Sequence, residues 1–175
     1  MVILQAAAVI LSSVMTQTSP KLNSHLEGFR PLIGHTYVGK FDPMEGQKEG
    51  FVDVASFERI LNGNAVRMTH SLNKGMYGGE TIFYWDDEKK SVMGAYYTTA
   101  SFRTLSEVKF DGSSFCSIEK ILGDAGGTTE VKATFKITDG GKGYVVEATH
   151  YIGEKVQAHR ITTYVQDDKA EVIFN

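Results

Sequence analysis

Apolar and polar positions alternate along most of the chain, most clearly between Phe51 and Leu72. Two such runs, FVDVASFERI and AVRMTHSL, flank Leu61-Asn62-Gly63-Asn64. An Asn-Gly pair between alternating runs predicts a hairpin, because both residues tolerate the positive φ angles of a tight turn. Pairing Leu61 with Asn64 sets Phe57 opposite Met68, Arg59 opposite Val66 and Ala55 opposite His70 on one face. The other face then carries Glu58 opposite Arg67, a cross-strand ion pair that belongs in water. The first face is therefore inward. His70 and Arg59 point into an interior shared with Phe57, Leu61, Val66, Met68 and Leu72.

The same device repeats. A first strand is expected at Thr36 to Phe41, and Asn73 to Gly79 reads as a glycine-bearing loop. ETIFYW and SVMGAYYTT turn about DDEKK, which places Phe83 opposite Gly94, Tyr84 opposite Met93 and Trp85 opposite Val92. SFRTLSEVKF and FCSIEKIL meet at Asp111 to Ser114; TTEVKATFKI, GYVVEATHYI and KVQAHRITTYV follow. The final AEVIF reads as an edge strand or a strap. About ten strands joined by short links, with no helical pattern long enough for a parallel crossover, predict an all-β, up-and-down antiparallel barrel. Closure removes the exposed edges of such a meander. Upstream, Ser19 as N-cap, Pro20 at the first helical position and Leu22, Leu26 and Phe29 at helical spacing predict a short N-terminal closing helix. Gly28 and Pro31 limit it, and it must lie across one end of the barrel as a plug.

Composition narrows the function classes. The net charge of -3 offers no basic field for nucleic acid, and 18 glycines with 3 prolines suit strands and turns better than a helical bundle. The single cysteine, Cys116, forms no intramolecular disulfide and reads as a small core or wall residue. Met1 to Met15 is apolar and uncharged, too short to span a bilayer, and of the length of a secretory signal's apolar region. No Lys or Arg precedes it and no clean small-x-small site follows, so a short apolar helix packed on the domain is the other reading. The expected division is thus a possible signal or apolar segment at 1–18 and one barrel domain at 19–175, in a periplasmic or secreted protein or otherwise a cytoplasmic one. No stable membrane span is expected in the mature chain, and oligomeric state is left open.

Candidate chemistry gathers on a few side chains. With Gly153-Glu154 as the last turn, Glu147 faces Arg160 on one side, together with Thr149, Tyr151, Thr162 and Tyr164. His150 and His159 share the other side, close enough to hold a metal, although strand histidines more commonly sit exposed or hydrogen-bonded. Phe83, Tyr84, Trp85, Tyr96, Tyr97 and Phe102 read as core or wall, with Arg59 or Arg103 and the phenols available to orient a carboxylate or carbonyl. No Gly-x-Ser-x-Gly elbow, His-Glu-x-x-His, phosphate loop, dinucleotide fingerprint or paired-cysteine site is present.

The short closing helix, the glycine-containing first strand Leu32-Ile33-Gly34-His35-Thr36-Tyr37-Val38-Gly39 and the meander ending in an Arg/Tyr-bearing strand resemble the calycin group: lipocalins, fatty-acid-binding proteins and nitrobindin-like barrels. The similarity runs from Leu32 to Gln166 and is nearest in feel to uncharacterised bacterial calycin-like proteins. Lipocalins place Gly-x-Trp on the first strand with the Trp packed on an Arg of the last; here Tyr37 stands one position later, with Arg160 as the partner the resemblance implies. The nitrobindin-like resemblance implies a late-strand histidine, His150 or His159, as a proximal haem ligand. The leading expectation is a barrel without a cofactor that binds a small, largely apolar or amphipathic ligand through His70, Arg59, Phe57, Met68, Tyr84, Tyr96 and Arg103. A haem barrel, an enzyme using Glu, His and Tyr in the same cavity, and a barrel filled by its own side chains are the alternatives.

Overall fold

The computed structural model describes residues 21–43 and 48–175. Among them are ten strands: β1 (Thr36–Phe41), β2 (Phe51–Ile60), β3 (Ala65–Leu72), β4 (Tyr77–Asp86), β5 (Ser91–Thr98), β6 (Arg103–Asp111), β7 (Ser114–Leu122), β8 (Glu130–Thr138), β9 (Gly143–Ile152) and β10 (Lys155–Gln166). Each pairs antiparallel with the next, and β10 returns to β1 to close the barrel. The meander predicted from alternation is the observed one.

The β2–β3 register matches the predicted pairs, with Ala55 opposite His70, Phe57 opposite Met68 and Glu58 opposite Arg67. Its turn is wider than a two-residue link. Leu61, Asn62 and Gly63 all adopt positive φ, and the ladder ends at Ile60 and Ala65. Left-handed backbone interrupts the alternation, so Leu61 turns to solvent, 69% exposed, instead of joining the core. β4 also begins earlier than expected: Tyr77, Gly78 and Gly79 pair with Leu72, Ser71 and His70. The expected loop is thus cut to Asn73–Met76.

One end is stoppered by a 3₁₀ segment, Ser24–Leu32, with Pro31 in its last turn. The Asn23 side chain caps it by accepting from the His25 N–H at 3.0 Å. The expected cap Ser19 and first-turn Pro20 lie outside the described residues. Leu26, Phe29 and Leu32 have no accessible surface. The Phe29 ring packs at 4.5–5.0 Å, centroid to centroid, on Phe83, Phe110 and Phe115. Each such buried ring contributes about 1.5–3 kcal/mol relative to an exposed one. Two further contacts fasten the plug: Arg59 Nε donates to the Lys21 carbonyl, and the His25 ring stacks on Trp85 at 3.5 Å. Beside the Phe29 cluster, Tyr37, Phe57 and Tyr144 meet edge to face and complete an aromatic floor.

The last residues form a strap, not a strand. The Ile173 N–H donates to Ser71 Oγ at 2.9 Å and Asn175 Nδ2 donates to the Lys74 carbonyl, which ties the tail to the outer side of β3 and its turn. No helix among the described residues is long and apolar enough to cross a membrane.

Candidate functional site

Above the aromatic floor the barrel is hollow. Two adjoining lobes of about 650 and 440 Å³ share Met68, His70, Tyr77 and His150 among their walls. Volumes of this size suit small-molecule sites. Much of the lining is apolar, including Phe83, Phe102, Ile121, Val131, Phe135 and Val146.

A continuous hydrogen-bonded chain of side chains crosses this wall. Tyr164 Oη donates to Asp53 Oδ2 at 2.9 Å. Asp53 Oδ1 lies 2.9 Å from His70 Nδ1, and His70 Nε2 lies 2.7 Å from Tyr96 Oη. Tyr96 Oη is in turn 2.7 Å from Tyr77 Oη. Asp53 is only 3% exposed, so its carboxylate depends on these partners in place of water.

Two glycines make the chain possible. Gly39 on β1 sits between Asp53 on β2 and Tyr164 on β10, and Gly79 on β4 sits opposite His70 on β3. A β-carbon at Gly79 would stand 2.5 Å from Tyr96 Cε2, where the ring must lie to bring its hydroxyl to His70. In a barrel, a missing side chain on one strand lets a ring from a neighbouring strand reach across it.

A carboxyl completes the polar set. On β7, Phe115, Ser117, Glu119 and Ile121 line the first lobe in strict alternation. Glu119 accepts from Thr104 Oγ1 at 3.2 Å and from Ser117 Oγ at 3.1 Å, and what surface it keeps faces the cavity. Burial pushes its carboxyl upward, opposed by those two hydroxyls and by His70. Tyr77 and Tyr96 are held above the ordinary phenol value, first by burial, with the Glu119 charge adding to the effect. Burial and then the Arg160 charge push the His150 imidazole down, which favours its neutral form.

The residues singled out in the sequence divide by location. Met68, His70 and Tyr96 line the first lobe. Phe57 lies in the floor, 1% exposed, and Arg59 is on the inner face but at the plug, bound to Lys21. Tyr84 and Arg103 follow the outward parity of their strands, since Phe83 and Thr104 beside them face in. Cys116 is likewise exposed on the outside of β7 and is no core residue.

The final hairpin needs a correction. β9 and β10 pair Lys155 with Ile152 and Val156 with Tyr151, but then Ala158 with His150, leaving Gln157 as an extra residue. The slip separates the two histidines. His150 stays on the cavity wall, while His159 faces out, 3.0 Å from Thr149 Oγ1 and 3.5 Å from Glu147. It also turns Arg160, Thr162 and Tyr164 inward beside His150. Tyr37, expected to carry a guanidinium under its ring, has a hydroxyl that donates to the Gly141 carbonyl at 2.7 Å and a ring that packs on Tyr144 and Phe57. Arg160 borders the second lobe.

Four members of the polar set escaped the sequence reading: Asp53, Tyr77, Glu119 and Tyr164. Asp53 shares the parity of Ala55 and Phe57, and Glu119 that of Phe115 and Ser117, so alternation marks both as inward carboxylates once the strands are placed. Tyr77 was hidden by its glycine neighbours, and Tyr164 by the bulge.

The closed ten-strand meander is consistent with a calycin-like fold. No protein-family model matches the chain, and no curated protein matches it.

Proposed function

We propose that the protein is a small-molecule-binding barrel whose occupant is largely apolar and carries one hydrogen-bonding head. The observation behind this reading is the hollow itself: a lobe of about 650 Å³, mostly apolar, with the polar residues Tyr77, Tyr96, His70 and Glu119 among its lining. Apolar walls supply the affinity, and the few convergent polar groups fix the orientation of the ligand.

Native mass spectrometry of the purified protein tests it, with Ala148→Trp as the comparison because Ala148 borders both lobes. A co-purifying or added apolar ligand should ride on the wild-type chain and be missing from the Ala148→Trp variant at equal folded fraction. Equal adducts on both, or none on either across a panel of apolar carbonyl and carboxyl compounds, would refute the reading.

A haem-binding alternative now rests on His150 alone, since both ring nitrogens of His70 are engaged and His159 is outside. The neutral imidazole favoured at His150 is the ligating form. A Soret band on haem titration that disappears in His150→Ala would support that alternative.

A further inference from the structure

We propose that the cavity is catalytic: the Asp53–His70–Tyr96–Tyr77 chain delivers a proton to the carbonyl oxygen of a bound apolar ketone while Glu119 takes a proton from the adjacent carbon. This rests on the binding reading above and adds a reaction to it. The substrate class is an apolar compound with an enolisable carbonyl, and the reaction is enolisation or double-bond migration beside that carbonyl.

The order of donors and acceptors carries the argument. With a neutral His70, Nδ1–H donates to Asp53, Nε2 accepts from Tyr96 and Tyr96 accepts from Tyr77, so Tyr77 offers the cavity only lone pairs. With both ring nitrogens of His70 protonated, every bond beyond the ring reverses: Nε2–H donates to Tyr96, Tyr96 to Tyr77, and the Tyr77 O–H is freed toward the cavity. Asp53 holds the opposite charge beside that imidazolium, oriented by Tyr164. Chains of this kind pass a proton without moving a heavy atom.

The step balances within the site. The Glu119 carboxylate removes the proton on the carbon next to the carbonyl, and that C–H pair becomes the C=C bond. The carbonyl π pair moves to oxygen, which takes the Tyr77 proton. Tyr77 is refilled from Tyr96 and Tyr96 from His70, leaving a neutral imidazole and a protonated Glu119. On return, the enol C=C pair takes the Glu119 proton at the same carbon or at the far end of a conjugated system, the O–H pair re-forms the carbonyl, and the hydroxyl proton runs back through Tyr77 and Tyr96 to His70, which restores every group. The carboxyl's upward displacement makes its ionised form a stronger base, and the apolar walls exclude competing water. Tyr77 and Glu119 are the catalytic residues; Tyr96, His70 and Asp53 are positioning and relay residues.

The test uses the full chain in D₂O buffer with 2-octanone as probe. Saturation-transfer NMR reports occupancy, and loss of the C1 and C3 proton signals reports exchange. Exchange should exceed the buffer rate, fall about 10²–10⁴-fold in Glu119→Gln and fall similarly in Tyr77→Phe, with probe occupancy kept in both. Asp53→Asn should lower kcat for exchange with KM unchanged, which a residue that only supports the fold would not do at equal folded fraction. Occupancy with exchange at the buffer rate, or exchange indifferent to Glu119→Gln and Tyr77→Phe, overturns the catalytic proposal and leaves the binding reading standing. No occupancy by 2-octanone or by any compound of the apolar carbonyl and carboxyl panel overturns both.

Discussion

The ring of Tyr164 fills the space a side chain at Gly39 would need: a β-carbon there would stand 2.6 Å from Tyr164 Cε1. Because Gly39 pairs with Asp53 on one side and with Tyr164 on the other, the ring crosses β1 to bring its hydroxyl to the buried carboxylate. The glycine, the tyrosine and the aspartate form one unit that joins the two ends of the meander where the barrel closes.

Gly39→Ala should therefore destabilise the protein by about 1–3 kcal/mol through overpacking. Tyr164→Phe keeps the ring but removes a donor from a buried carboxylate, at a cost of about 1–3 kcal/mol. Urea denaturation of both variants and of the double variant checks the coupling. The combined loss should be less than additive, because a displaced ring has already surrendered its bond to Asp53.

Glu119 gives stability a pH dependence of defined sign. Its folded-state pKa is raised by burial, so its contribution is complete below the ordinary value of 4.5 and is lost as the pH climbs through the raised value. Glu119→Gln keeps an acceptor for Thr104 and Ser117 but cannot ionise. The Tm of the variant minus that of the wild type should grow between about pH 4 and about pH 8. A difference that stays constant or shrinks over that range would contradict the burial argument.

The plug carries its own reporter. Trp85 is the one tryptophan of the chain, and its ring lies 3.5 Å from that of His25 with 7° between their planes. His25→Ala should raise Trp85 emission and cost about 0.5–1.5 kcal/mol, the range of an aromatic pair. Wild-type emission followed during denaturation would then show whether the plug leaves before the barrel opens.

Much of the fold was legible because one rule, alternation pinned by turns, governs nearly every hairpin. The Glu58–Arg67 pair marked the outer face, and Phe83 opposite Gly94 emerged from the DDEKK turn alone. The site was less legible. Its side chains come from six strands, β10, β2, β3, β4, β5 and β7, and only His70 and Tyr96 stand out locally. Asp53 is an ordinary inward position until Gly39 and Tyr164 are placed beside it. Gly78 and Gly79 suggested a loop where they begin a strand, since a glycine kept for a ring to cross looks the same in sequence as a glycine kept for a turn.

The bulge in β10 is the clearest instance of what sequence leaves open, and it can be tested directly. Gln157 carries no mark of an extra residue, being neither glycine nor asparagine, yet it decides that His159 leaves the cavity and Arg160 enters it. Its side chain accepts from Thr128 Oγ1 at 2.7 Å, a contact at the surface. Deleting Gln157 would join Val156, opposite Tyr151, directly to Ala158, opposite His150, and the alternation of β10 becomes regular with every later pair unchanged. The deletion variant should fold cooperatively with a loss of about 1 kcal/mol for the missing hydrogen bond. His159 should remain open to diethyl pyrocarbonate, and His150 shielded, as in the parent chain. A variant in which His159 becomes shielded would mean that β10 has slipped by one residue instead of keeping its anchor at Thr162 and Tyr164.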